Sequence, residues 1–312
     1  MRAVVVNHKS SSHLEVQEVD EPSRAPTEAL IRVSAILLNR GEVRRAETAE
    51  PGFRPGWDLS GTVEEDAGDG SGPPAGSRVV GFLASGAWAE FATVPTDSLA
   101  VLPEGVSFSQ AATLPVAGLT ALYALEKGGN LLGRSVLVTG ASGGAGHFGV
   151  QLARLAGARV VAVVRREEHV KLLRGAGAHE IVVSEDASAA GEHGPYQIVL
   201  ESIGGEVLGN VLSMLDTKGT CVTFGVSGSD ETTFGVRDLF VKGGASLYGF
   251  ILFHEVLEKP AYSGLGRLAR LVSDGSLRPH IALEESWTEI GDVARRLMER
   301  GYTGKAVLHV GG

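Results

Sequence analysis

The chain has 312 residues, a length that implies about two domains. Its 43% hydrophobic and 21% charged residues describe an ordinary globular protein rather than a disordered one. With 28 Lys plus Arg against 37 Asp plus Glu the net charge is -9, which argues against nucleic acid or an anionic membrane as a bulk partner.

No apolar run reaches the ~20 residues of a membrane span, and the short apolar stretch after Met1 is far too brief for a secretory signal. The single cysteine, Cys221, allows no internal disulfide, so a cytoplasmic protein is expected.

The first ~115 residues read as β-rich. Strands are expected at Arg2–Val6, Leu14–Val19, Ala29–Leu37, Arg78–Phe82 and Ala87–Val94, and Ala67–Ser77 reads as a surface loop. Short strands at this spacing suggest a small twisted barrel. From about Thr120 the pattern changes. Ser135–Thr139, Arg159–Val164, Ile181–Val183, Gln197–Leu200 and Thr220–Phe224 are apolar runs without alternation, as strands covered on both faces require. Helices are expected between them: one presents Phe148, Gln151, Leu152 and Leu155 on one face, and another spans Glu167–Arg174. Alternating β and α elements imply a doubly wound parallel sheet. The tail predicts helices around Gly266–Ser273 and Ile290–Arg300. Its last strand, Lys305–Val310, should return to the N-terminal domain.

The strongest motif is VTGASGGAGHFG, Val138 to Gly149, with G-x-G-x-x-G at Gly144, Gly146 and Gly149. A buried strand precedes it, a helix follows, and a second strand ends about twenty residues on, which is the context of a dinucleotide site. The first glycine is expected to permit the turn, the second to admit a pyrophosphate, and the third to let helix and strand pack. The helix N-terminus adds unpaired N–H groups and partial positive charge. Where an NAD site wants a carboxylate after the second strand, this chain offers Arg165 and Arg166. A guanidinium fork suits a 2′-phosphate, and two such contacts at roughly 1.5–3 kcal/mol each favour NADP(H) over NAD(H) by tens-fold or more.

Taken in order, these residues resemble the medium-chain dehydrogenase/reductase superfamily, in its zinc-free quinone oxidoreductase-like branch. The likeness runs the whole length: Asn39 in SAILLNRGEVRR, Pro55–Val63 (PGWDLSGTV), Gly76–Phe82 (GSRVVGF), Ala111–Ala121 (AATLPVAGLTA), Ala141–Gly146 (ASGGAG), Glu201–Gly205 (ESIGG) and Thr303–Val310 (TGKAVLHV). Asp58 stands at the family's acidic position, Ser77 replaces the usual Asp, and Glu201 replaces another. The resemblance implies an α/β protein: a GroES-like β-barrel catalytic domain from residues 1–118 and 254–312, with a doubly wound Rossmann domain at 119–253 binding NADP(H). It assigns cofactor contacts to Thr120, Gly140, Ser142, Gly143, Gly144, Ala145, Gly146, Arg165, Arg166, Ser202, Gly204, Phe224, Gly225 and Phe250. It also implies a homodimer joined edge to edge through Ala245–Phe250, although a strand buried within the monomer is the competing reading of that segment.

No metal is expected. Leu38 and Asp58 stand near positions where zinc-dependent relatives carry ligands, Cys221 reads as core, and none of the nine histidines pairs at i,i+3 or i,i+4. Within the motif, His147 should face solvent or cofactor. Charge on a substrate oxygen must then be met by hydrogen-bond donors, and the resemblance implies Asn39 and Thr120 near the nicotinamide as the catalytic pair. No general acid stands out; Phe53 and Trp57 read as pocket wall or core, and solvent is the default proton source.

The expected activity is NADPH-dependent, zinc-independent reduction of a small quinone or α,β-unsaturated carbonyl compound. The alternative is a catalytically weak NADPH-binding structural or sensing protein of the same fold. A short-chain dehydrogenase fails on order, because Tyr123 and Lys127 have the Tyr-x-x-x-Lys spacing but precede the glycine loop.

Overall fold

A computed structural model describes residues 1–10 and 12–311. They divide into two compact units, Met1–Leu119 with Val256–Gly312, and Thr120–Glu255.

In the first unit β1 (Arg2–Val6) and β2 (Leu14–Glu18) form an antiparallel hairpin. β3 (Glu28–Leu37) is followed by α1 (Arg40–Thr48), β4 (Asp58–Glu65), β5 (Arg78–Phe82), β6 (Phe91–Pro95), β7 (Leu99–Val101) and the short α2 (Phe108–Ala112). β3 carries alternating buried positions along its first half and is buried throughout its last three residues, so it can serve as a central strand. It pairs antiparallel with both β4 and β6, and β4 continues through β5 to β7. The expected strand at Ala87–Val94 begins only at Phe91. Ala87–Ala89 instead turns toward β1, where Val4 N–H donates to the Trp88 carbonyl, while the buried Trp88 indole donates to Leu37 at 3.0 Å. A buried indole needs a partner for its N–H, and that requirement draws this segment out of β6.

The second unit opens with α3 (Leu119–Glu126, its first residue assigned to the first unit) and continues with β8 (Ser135–Val138), α4 (Gly144–Leu155), β9 (Arg159–Val164), α5 (Val170–Gly175) and β10 (Glu180–Val183). Then come β11 (Tyr196–Glu201), α6 (Gly205–Ser213), β12 (Leu215–Thr223), α7 (Val236–Phe240), β13 (Ser246–Gly249) and α8 (Leu252–Glu258, which from Val256 on belongs to the first unit). Its six strands are all parallel, in the order β10-β9-β8-β11-β12-β13. The chain therefore reverses its winding between β8 and β11, and the crevice of a doubly wound sheet lies there. The expected helix at Glu167–Arg174 is two pieces, a tight turn at Glu167–His169 and then α5. α4 is buried on every side from Gly146 to Ala153, so Leu155, expected on its inner face, emerges at 48% exposure in the last turn. Cys221 is fully buried in β12, as a core residue should be.

The tail completes the first unit. α9 (Ala261–Ser273), β14 (Ile281–Ser286), α10 (Ile290–Met298) and β15 (Lys305–His309) follow in order. β15 pairs parallel with β14 and antiparallel with β3, so the last strand does return to the N-terminal sheet. Trp287, Ile290 and Val293 enter the same core cluster as Val4, Ile31, Leu59 and Trp88.

Gly61 on β4 lies opposite an irregularity in β3 between Val33 and Ala35, and a Cβ there would overlap the Arg32 carbonyl. Gly61→Ala should therefore destabilise the protein by roughly 1–3 kcal/mol in equilibrium unfolding, since the neighbour is backbone and has little room to yield.

Candidate active-site elements

In the second unit the sequence-predicted cofactor residues other than Thr120 follow the C-terminal ends of the parallel strands. The turn after β8 is made by Gly140, whose φ of +54° lies in the left-handed region. The turn glycine is thus Gly140 rather than Gly144, which already occupies the first helical position of α4. Gly146 has a packing role: a Cβ there would overlap the Gly140 carbonyl and lie 2.8 Å from the Ala141 Cα. Gly149 acts as expected, since its Cβ would fall 2.8 Å from Leu200 Cδ1 on β11. His147, expected to face solvent or cofactor, is buried at 7% exposure.

The start of α4 meets the physical requirements for an anion. Gly143 is the N-cap and supplies no capping side chain. The first-turn amides therefore have no side-chain acceptor, while the helix dipole adds to their partial positive charge. Such a terminus suits a diphosphate.

Glu201 shapes the other wall of the crevice. It is fully buried at the end of β11 and accepts from the amides of Ile203 at 2.6 Å and Gly204 at 3.0 Å. It also accepts from the hydroxyls of Thr139 on one side at 3.3 Å and Thr223 on the other at 3.2 Å. One carboxylate thus fastens the ends of β8, β11 and β12. Burial pushes its pKa up, opposed by those same hydrogen bonds. Ser202 follows at once, and its amide donates to the Thr139 hydroxyl at 3.2 Å. A Cβ on Gly140 would lie 2.6 Å from the Ser202 hydroxyl oxygen, and one on Gly225 would lie 3.0 Å from the Ser202 carbonyl oxygen. Phe224 and Phe250 meet edge to face, with ring centroids 6.5 Å apart.

Arg165 and Arg166 stand exposed beyond β9, the neighbour of β8. They are not equivalent. Arg166 is held by Glu168 at 3.0 Å, whereas Arg165 makes no ion pair among the described residues. Thr120, in α3, is 7% exposed, and its hydroxyl has no hydrogen-bond partner among the described residues.

Asn39 departs from expectation. In the first unit it is the N-cap of α1, and its side-chain amide donates to Glu42 at 2.8 Å and to Asp58. Its carbonyl oxygen accepts from Lys305 Nζ at 2.8 Å. Both amide hydrogens are therefore spent inside the protein, and Asn39 has no donor left for a substrate oxygen. Its observed work is to organise a buried charged cluster. Glu42 also accepts from the backbone N–H of Asn39 and of Trp57, and Asp58 accepts from that of Val116 at 2.7 Å. Burial and the neighbouring Asp58 charge push Glu42 well above the carboxylate range. Burial pushes Asp58 up to about 6, against the pull of Lys305, and burial pushes Lys305 down.

Sequence reasoning missed Glu42 and Lys305. The capping-box spacing of Asn39 and Glu42 was the available signal for the first. Nothing local marks the second, because its hydrogen-bond partner Asn39 lies 266 residues away in sequence. Among the described residues no group of three or more His, Cys, Asp and Glu side chains could hold a metal, and no helix is long and apolar enough to cross a membrane.

Comparison with known proteins completes the description. Residues 25–104 match the family model for the alcohol dehydrogenase GroES-like domain, and residues 144–265 match that for zinc-binding dehydrogenase. The chain is similar to a rat (Rattus norvegicus) quinone oxidoreductase at 32% identity, covering 86% of this chain and 84% of the relative. Among solved structures it resembles a 2-haloacrylate reductase at 26% identity and a TM-score of 0.88, with both chains fully covered. It likewise resembles a mycobacterial protein solved in complex with NADPH, at 27% identity and a TM-score of 0.87 over 99% of this chain and 100% of the other. The chain belongs to the medium-chain dehydrogenase/reductase superfamily, with its GroES-like and Rossmann-type parts. Within that superfamily it falls in the quinone oxidoreductase-like branch.

Removing the ammonium from the buried cluster should be costly. Lys305→Met leaves two buried carboxylates without a counter-charge, and a loss of about 3–5 kcal/mol is expected in equilibrium unfolding. Without Lys305 the folded-state pKa of Asp58 rises further above its unfolded value. A group raised in this way stabilises at low pH and loses that contribution as pH climbs through the folded pKa. The deficit of the variant should therefore be larger at pH 8 than at pH 5.

Proposed function

We propose that this chain is an NADPH-dependent, zinc-independent reductase of quinones or α,β-unsaturated carbonyl compounds. The observation that carries the proposal is the bare N-terminus of α4, set beside the crevice where the winding of the parallel sheet reverses. In this reading the diphosphate rests on the amides of Gly144, Ala145 and Gly146, with Ser142 and Gly143, whose own N–H donates to the Gly140 carbonyl at 2.9 Å, beside it. Ser202, Gly204, Phe224, Gly225 and Phe250 line the way to the nicotinamide, which supplies the hydride when bound.

Arg165 carries the preference for a 2′-phosphate. It has no competing carboxylate, whereas Arg166 would first have to leave Glu168. Thr120 is the better donor toward a substrate oxygen, because its hydroxyl is uncommitted while the amide of Asn39 is not. The chain's donor set supports a zinc-independent reading: its one cysteine is buried, and no three ligating side chains cluster among the described residues. A cytoplasmic location suits that lone thiol.

A second reading has its own support. The commitment of both Asn39 hydrogens leaves fewer groups to stabilise developing charge, which favours an NADPH-binding protein with weak turnover or none.

The two readings separate in one assay. NADPH should raise the melting temperature more than equimolar NADH, and absorbance of the reduced coenzyme should fall with a quinone or an enone. Arg165→Ala should weaken NADPH binding about tenfold or more while leaving NADH unchanged, the loss expected for a charge-assisted contact. Equal shifts from the two coenzymes would remove the Arg165 assignment. NADPH binding without turnover across a panel of quinones, enones and enoyl thioesters would select the second reading.

We further propose a homodimer through β13. Among the described residues this strand pairs with β12 alone, its four residues are exposed, Leu247 and Tyr248 on it are apolar surface, and Phe240 and Val241 in the preceding segment are exposed as well. An exposed edge of this composition favours strand addition by a second copy. Light scattering should give twice the chain mass, and Leu247→Lys should shift it toward the monomer.

A further inference from the structure

The turn of the first hairpin brings two histidines together. Asn7 N–H donates to the His13 carbonyl and His13 N–H to the Ser10 carbonyl, at 3.0 and 3.1 Å. His13 adopts a φ of +58°, a left-handed conformation that directs its ring back toward His8. The Nδ1 atoms of His8 and His13 lie 3.3 Å apart, with ring centroids 5.2 Å apart and planes inclined by 65°. His8 is exposed and His13 half-buried, so the pair opens to solvent.

The other nitrogen of His8 settles its tautomer. His8 Nε2 lies 2.9 Å from the carbonyl oxygen of Ala49, the C-cap of α1. A carbonyl only accepts, so Nε2 carries the proton and Nδ1 of His8 presents a lone pair toward His13. A ring N–H donated to a backbone carbonyl, with the second nitrogen bare, is the arrangement that orients a metal-ligating histidine. Two imidazole nitrogens bound at about 2.0–2.1 Å with a tetrahedral angle stand ~3.3–3.4 Å apart, which is the separation observed.

We propose that His8 and His13 form a two-imidazole surface site for a divalent first-row transition ion such as Zn(II), Ni(II) or Cu(II). In the metal-free pair, His13 Nδ1–H donates to His8 Nδ1. The cation takes the place of that proton, which moves to Nε2 of His13, and water completes the coordination shell. Imidazole suits these three ions, with Cu(II) held most tightly. The bound ion also ties the hairpin turn to the end of α1 through the His8–Ala49 hydrogen bond. The site is separate from the dinucleotide crevice, lying wholly within the first unit, and its test does not use catalytic activity.

The spacing explains why sequence reading passed over it. Metal-binding pairs on a helix face recur at i,i+3 or i,i+4, whereas His8 and His13 are five apart and follow and precede the paired strands β1 and β2.

The full chain is titrated with Cu(II) and followed by electron paramagnetic resonance, with Ni(II) added in parallel melting experiments. One equivalent of Cu(II) should bind with hyperfine structure from two imidazole nitrogens. His8→Ala and His13→Asn should each weaken binding by about tenfold or more. Asn keeps the left-handed backbone at position 13 accessible, and equal melting temperatures in chelator show that each variant is folded. Ni(II) should raise the melting temperature of the unaltered chain, as a ligand of the native state alone must, and leave the double variant unmoved. Undiminished Cu(II) affinity in the double variant, a loss in only one of the single variants, or no binding by the unaltered chain would overturn the proposal.

Discussion

The cofactor half of this protein depends on a single buried carboxylate. Parallel strands end where their ligand begins, so something must hold several strand ends in register without filling the space beyond them. Glu201 does this by accepting from two loop amides and from hydroxyls on both neighbouring strands, Thr139 and Thr223. A buried carboxylate with fewer partners would take up a proton and release part of the loop. Because the anchor sits below the loop rather than in it, the residues above are free to be small. Gly140, Gly146, Gly204 and Gly225 let these loops pack on one another, since a Cβ at each would press on a neighbouring loop atom. The site is built by subtraction around one fully satisfied charge.

The barrel half uses charge differently. Glu42, Asp58 and Lys305 place two carboxylates and one ammonium out of water, joined through the amide of Asn39. Such a group contributes little net stability compared with an apolar core, yet each member becomes expensive to lose once the others are buried. What it supplies is specificity: β15 has one register on β3 in which the ammonium meets its partners. Asn39 is consumed by architecture, and Thr120 keeps an uncommitted hydroxyl.

The legibility of the sequence followed the range of the interactions. The parallel strands of the second unit were readable because burial on both faces writes unbroken apolar runs such as Arg159–Val164. The glycine loop was readable because its context is local. Its internal roles were not: the left-handed turn falls on Gly140 and close packing on Gly146, a distinction that depends on which backbone atoms face each glycine rather than on spacing. Trp88 was placed in a strand it leaves, because its indole seeks a carbonyl on β3 that no nearby residue announces. For His147, expected to face solvent or cofactor, the solvent half of the reading fails, because α4 is buried around its whole circumference there. Lys305 was invisible as a site residue for the plainest reason, that its partners lie at the other end of the chain.

That last distance has a consequence for how the molecule is made. Residues 120–255 form one continuous stretch, and a continuous unit generally folds once it has been made. The barrel cannot finish so early: before Lys305 emerges, closing the core around Glu42 and Asp58 would strand negative charge in a dry interior, and the Ala35–Leu37 end of β3 would lack a neighbour on one side. Synthesis order thus favours a nascent chain whose later-made nucleotide unit matures first while the earlier-made segment waits, half-assembled, for its final strand.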